Sequence, residues 1–129
     1  MKCFTFAATL ASLGLAFGAA RADVTVLDNN KTIEVDCAKD PQINLLGNHI
    51  TLTLKGVCAM VTVDGNDETI TGSASAVRVN GNHNTVALTA ADQVAIFGND
   101  NTVTVQKPIK AKAVQIANPG NRNKVTRPK

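Results

Sequence analysis

The sequence predicts an all-β chain, a parallel β-solenoid (β-helix) of about six short two-strand coils, and three observations carry that prediction. Gly-Asn recurs at Gly47-Asn48, Gly65-Asn66, Gly81-Asn82, Gly98-Asn99 and Gly120-Asn121, at spacings of 18, 16, 17 and 22 residues. Asp28-Asn29 fits as a degenerate first copy. Apolar residues stand at fixed offsets from that pair in every copy. Large rings are scarce: four Phe and no Trp or Tyr in 129 residues. A short fixed period is the mark of a repeat architecture. With 44% hydrophobic and 18% charged residues the chain is too apolar for disorder, and its length suits one domain.

The first element, residues 1–22, reads as a signal peptide. Met1-Lys2 supplies a positive start, residues 4–20 are small and apolar, and Ala20-Arg21-Ala22 fits the small-x-small rule for cleavage before Asp23. A membrane-spanning helix is the alternative, but the run is at the short end for a span. No other apolar stretch is long enough, so no membrane span is expected after cleavage. Cys3 precedes the apolar run, where a lipid-anchored cysteine would have to follow it. The expected address is exported, either periplasmic or secreted.

Cleavage also removes Cys3 and leaves Cys37 and Cys58. An even pair in an oxidising compartment predicts one disulfide. The alternative is a free thiol. Two cysteines without CxxC spacing make a poor zinc site, and neither a metal nor a cofactor is expected.

Residues 23–106 form the body of repeats, and 107–129 form the last repeat with a basic C-terminal cap or tail. Four positions before the Gly stand Val24, Ile43, Val61, Val77, Val94 and Ile116, and two before it Val26, Leu45, Val63, Val79 and Ile96. Five after it come Ile33, Leu52, Ile70, Val86, Val103 and Val125. Seven after it come Val35, Leu54, Leu88 and Val105, with Gly72 as a gap. Each repeat therefore holds two period-2 strands rich in β-branched residues. A Gly-Asn-x-Asn turn separates them, and Gly and Asn are expected there because they tolerate positive φ.

One such repeat cannot bury its own apolar columns, whereas copies stacked about 4.8 Å apart bury them continuously. An antiparallel β-sandwich of hairpins is the alternative, because Asn-Gly and Gly-Asn also mark hairpins. The constant register of corresponding residues favours the solenoid. A thin coil has room for Val, Ile and Leu and little for rings. Cys37 and Cys58 both follow the second strand of their coils, so stacking brings them within disulfide reach.

Three outward columns are candidates for function. The residue after Gly-Asn reads Asn30, His49, Asp67, His83, Asp100 and Arg122, which puts an Asp beside each His. This is either a proton-relay or metal ladder, or an exposed turn that avoids stacking like charges. The two His stand two coils apart, about 9.6 Å at that spacing, too far to share one ion. Asn29, Asn48, Asn66, Asn82, Asn99 and Asn121 form a complete column suited to an amide ladder between coils. The second Asn of the turn, Asn84, Asn101 and Asn123, is replaced by Ile50 and Glu68 in earlier copies. Thr-x-Thr recurs at Thr51-Thr53, Thr69-Thr71 and Thr102-Thr104. Ranked hydroxyls on a flat face resemble the ice-binding face of solenoid antifreeze proteins, and that resemblance implies an ice or ligand face.

Enzyme signatures are missing: the chain has no GxSxG, Walker loop, HExxH or CxxC, and its acids are scattered. The expected function is therefore a non-enzymatic structural or interaction protein of unknown specific role. Its partner is unnamed, with self-association or a cell-surface component as the classes to consider. The aromatic platforms of single-stranded nucleic-acid binders are also absent, and no specific nucleic acid is expected. The alternatives are a self-assembling fibre or adhesin subunit, and an ice- or ligand-binding solenoid using the Thr face.

The GNxNxV repeats, fullest at 81–86, 98–103 and 120–125, resemble a bacterial family of small exported proteins catalogued as a domain of unknown function. The resemblance spans about residues 24–126 and implies export and a β-solenoid, with no activity attached. The Gly-x-x-Asn spacing at Gly81…Asn84, Gly98…Asn101 and Gly120…Asn123 is more distantly similar to curli-type repeats.

The formal charge of +3 conceals a strong asymmetry. Residues 23–106 hold four bases against all ten acids, whereas residues 107–129 hold seven bases and no acid. A basic end of this kind suits an anionic partner, a solvated cap, or the acidic body of the next molecule.

Overall fold

The computed structural model describes residues 23–39 and 41–128, and among them every regular element is a β-strand. The signal peptide expected over residues 1–22, with its Cys3, lies outside the described residues. Alternating residues give ten strands. These are β1 (Asp23–Val26), β2 (Thr32–Asp36), β3 (Gln42–Leu45), β4 (Thr51–Val63), β5 (Thr69–Val79), β6 (Thr85–Ala90), β7 (Gln93–Ile96), β8 (Thr102–Lys107), β9 (Gln115–Ala117) and β10 (Lys124–Thr126).

Every pairing of these strands is parallel. Strands before the Gly-Asn turn stack in the order β1, β3, β4, β5, β7, β9. Strands after it stack as β2, β4, β5, β6, β8, β10. The register is the one the columns predict: Val24 lies opposite Ile43, Ile43 opposite Val61, Val61 opposite Val77, and Val77 opposite Val94. A parallel β-solenoid of about six coils results, and the parallel ladders exclude the hairpin sandwich. The inward columns form one continuous core in which Ile43, Leu45, Leu52, Val61, Val63, Ile70 and Ile96 have no exposed surface.

Two strands are longer than a two-strand repeat suggests. β4 runs for 13 residues and β5 for 11, each joining the second strand of one coil to the first strand of the next. The corners are absorbed at register shifts beside Gly56 and Gly72, whose φ angles are 78° and 134°. Only glycine takes such angles without strain, so the chain turns while its hydrogen-bond ladder continues. At this edge a third inward column forms from Cys37, Cys58, Ala74 and Ala91, all buried.

Cys37 and Cys58 form the predicted disulfide, with their Cα atoms 4.8 Å apart. The bridge clips the first coil to the second and closes 21 residues of chain. In the chain-entropy account such a loop stabilises by about 3 kcal/mol. Reduction is therefore expected to lower the unfolding free energy by about that amount, read from denaturant melts with and without reductant. Unchanged midpoints would show that the first coil is held without the bridge.

The longest connection, between β8 and β9, is organised by one side chain. The Asp92 carboxylate accepts backbone N–H bonds from Ile109, Lys110 and Ala111 at 2.7–3.2 Å. These bonds, that of Ala111 foremost, hold the Asp92 carboxyl below its ordinary pKa.

Candidate functional site

The outward face of the strands that follow the turn is a threonine array. Period-2 alternation points Leu52, Ile70, Val86 and Val103 inward and their Thr neighbours outward. Thr32, Thr51, Thr69, Thr85 and Thr102 are direct partners on five successive coils. The second column runs Glu34, Thr53, Thr71, Ala87, Thr104 and Thr126. Thr51, Thr53, Thr69, Thr71 and Thr102 are exposed and Thr104 is half-buried. Hydroxyls thus repeat about every 4.8 Å across the strands and about 6.6 Å along them. The Glu34 and Lys124 ends of the array are charged, and its middle is uncharged.

At the turn, the outer asparagines form a ladder. The side-chain oxygen of Asn29 accepts both the backbone N–H and the side-chain amide of Asn48. Asn48 does the same for Asn66, Asn66 for Asn82, and Asn82 for Asn99, at 2.9–3.2 Å. Asn99 accepts the backbone N–H of Asn121. Each step satisfies a turn N–H that no strand partner reaches.

Positive φ falls on a different residue from the one expected. The turn glycines are not in the left-handed region, whereas Asn30, His49, Asp67, His83, Asp100 and Arg122 have φ between 53° and 59°. Asn, Asp and His are the side chains that best accept this conformation. The glycines serve close approach instead. A Cβ on Gly81 would overlap the Gly65 carbonyl oxygen and lie 2.7 Å from its carbon, and Gly65, Gly98 and Gly120 face the same obstacle one coil away.

The column after Gly-Asn sets each histidine beside an aspartate, with His49, Asp67, His83 and Arg122 exposed and Asp100 half-buried. His49 Nε2 lies 3.7 Å from Asp67, and His83 Nε2 lies 4.0 Å from Asp100. Arg122 grips Asp100 through two 2.7 Å bonds, which lower the Asp100 pKa and raise that of Arg122. Among the described residues, no three of His, Cys, Asp and Glu come together in a way that could hold a metal ion. Along the turn this column holds one surface ion pair, Arg122 with Asp100, and two histidine–aspartate neighbours.

The inner side of the turn carries a second ladder. Asn84 donates its side-chain amide to the Gly65 carbonyl and accepts the Glu68 N–H. Asn101 and Asn123 repeat that pattern one and two coils higher. In the third coil the position is Glu68, 1% exposed, with neither carboxylate oxygen hydrogen-bonded. Burial, with the nearby Asp64 charge adding to it, raises the Glu68 pKa to about 8. Its inward placement is readable from parity, since offset three from the Gly lies on the same side of the chain as the apolar offsets five and seven.

The opposite outward face is more varied. Arg78 lies over the Phe97 ring, 4.8 Å from its centroid. Beside this pair a shallow depression of about 400 Å³ is lined by residues including Met60, Ala76 and Ala95.

Residues 68–121, from the turn of the third coil to that of the sixth, match a family model described as a protein of unknown function (DUF3060). Neither a curated protein nor a solved structure matches the chain.

Proposed function

We propose that the chain is an exported, non-enzymatic structural or interaction protein, periplasmic or secreted, whose threonine face is its lateral contact surface. The export reading is supported by the leader-like residues 1–22 and by a disulfide of the kind oxidising compartments maintain. The interaction reading rests on one observation: five exposed threonines, Thr32 to Thr102, stand in strict register on successive coils.

Side chains on adjacent parallel strands are fixed relative to one another by the backbone ladder, so this lattice is ordered before anything binds. Preorganisation lowers the cost of binding, because few rotamers remain to be frozen. A rigid, uncharged, evenly spaced hydroxyl surface complements a partner that is itself regularly spaced and rich in hydroxyl or water oxygen. Ice is the simplest partner of that class.

Wild-type protein is expected to shape growing ice crystals, and the double substitution Thr69→Lys with Thr102→Lys is expected to abolish that shaping. Both positions are exposed, so the variant should keep its β-sheet circular dichroism and melting midpoint. Ice crystals left unshaped by the wild type would reject ice as the partner. Equal shaping by wild type and variant would reject the threonine face as the contact surface.

A further inference from the structure

Among the described residues both ends of the solenoid are open, and they differ in a complementary way. The first coil, β1 and β2, and the last coil, β9 and β10, each have a strand partner on one side only among those residues. Core columns that are fully covered in the middle coils are only half-buried there, at Val24, Val26 and Ile33 on one end and Ile116 and Val125 on the other. The first end holds an apolar-floored depression of about 570 Å³.

The turn ladders give the ends opposite hydrogen-bonding character. Five times within the chain, an asparagine N–H is donated down to the Asn side-chain oxygen of the previous coil. Five times the next residue donates its N–H up to the Asn carbonyl of the following coil. At the first coil these series leave the Asn29 N–H and Asn29 carbonyl pointing outward. At the last coil they leave the Asn121 side-chain oxygen and the Arg122 N–H. Each outward group on one end is the partner that the other end lacks.

Charge agrees with this polarity. The first end carries the exposed Asp28, Glu34 and Asp36, of which Asp28 and Glu34 also meet Lys31 and Lys55. The last end carries the exposed Lys124 and Arg127, which make no ion pair among the described residues, and Arg122, paired to Asp100. Continuing the register puts Lys124 and Thr126 over Thr32 and Glu34. Two first ends would set acid against acid, and two last ends base against base.

We infer that the solenoid stacks head to tail on a second copy of itself, the first coil of one molecule seated on the last coil of the next in the register that joins coils within a molecule. This goes beyond the lateral threonine surface, since it uses different residues and leaves that face exposed. A head-to-tail contact does not close on itself and propagates as a filament.

Multi-angle light scattering of the purified protein tests this at rising concentration, in low and in high salt. The expected result is a weight-average mass climbing to about twice the monomer or more, and falling back as salt shortens the Debye length to about 3 Å at 1 M. The variants Glu34→Lys with Asp36→Lys, and Lys124→Glu with Arg127→Glu, are each expected to weaken association at least tenfold. Mixing them should restore it, because every junction between one variant and the other pairs acid with base. Should either variant lose its β-sheet circular dichroism, the neutral pair Glu34→Gln with Asp36→Asn replaces the first and Lys124→Gln with Arg127→Gln the second. Each neutral pair is expected to weaken association in the same direction. A wild type that stays monomeric throughout would overturn the inference. So would charge variants that associate as well as the wild type, or mixed reversal variants that remain monomeric.

Discussion

Gly81→Ala is expected to destabilise the protein by about 4 kcal/mol or more, the range reserved for substitutions with no room to relax. The cause is the stack and not the turn. Gly81 has no left-handed φ to protect, and its role is to let one turn lie directly on the Gly65 carbonyl below. An alanine Cβ would overlap that oxygen and sit 2.7 Å from its carbon, both of them backbone atoms with no rotamer to change. The two coils would have to separate, and separation breaks the Asn66–Asn82 step and the inner Asn84–Gly65 bond together. Gly56→Ala supplies the contrast. Gly56 has φ of 78° with nothing within 4 Å of an added Cβ, so its cost should be left-handed strain alone, about 1 kcal/mol. Urea melts of the two variants check this directly. Equal losses would mean that turn conformation, not coil spacing, explains the recurrent glycine.

That contrast shows where the sequence was informative and where it was silent. The apolar columns were legible because parallel stacking preserves register, so Ile43, Val61, Val77 and Val94 align in the sequence as they pair in the sheet. The disulfide was legible for the same reason. The role of the turn glycines was not, because positive φ and close approach favour the same residue. Only the neighbouring φ values, on His49, Asp67, His83 and Asp100, separate the two causes. The length of β4 and β5 was hidden because Gly56 and Gly72 look like strand breaks, although their positive φ lets each strand turn a corner unbroken. The threonine array was legible too, because Thr32, Thr51, Thr69, Thr85 and Thr102 each directly precede the apolar residue five after the Gly, and they pair in that order in the sheet. Glu68 was visible as an exception in an asparagine column, but its isolation depends on the Ile50 side chain below and the Asn84 side chain above being equally buried.

Stability is expected to fall as pH rises from about 4.5 to about 8, and Glu68→Asn is expected to remove most of that fall. The Glu68 carboxyl titrates at 4.5 when solvated and at about 8 in the folded chain, because burial and the Asp64 charge oppose its ionisation. Between those values the unfolded chain has released a proton that the native chain still holds. Unfolding therefore becomes more favourable with rising pH, by about 1.4 kcal/mol per unit. The stabilisation is complete below 4.5, and its loss levels off above 8, where the native group ionises too. Across the window the effect is on the order of 5 kcal/mol. Asparagine at this position carries no proton to lose, and by analogy with Asn84 on Gly65 it would aim its amide at the Gly47 carbonyl. The variant should thus match or trail the wild type near pH 4 and exceed it near pH 8. Denaturant melts of both proteins at those two pH values, compared as a difference, cancel every other titrating group. Parallel pH profiles would show that the Glu68 carboxyl is not the proton-linked group inside the solenoid.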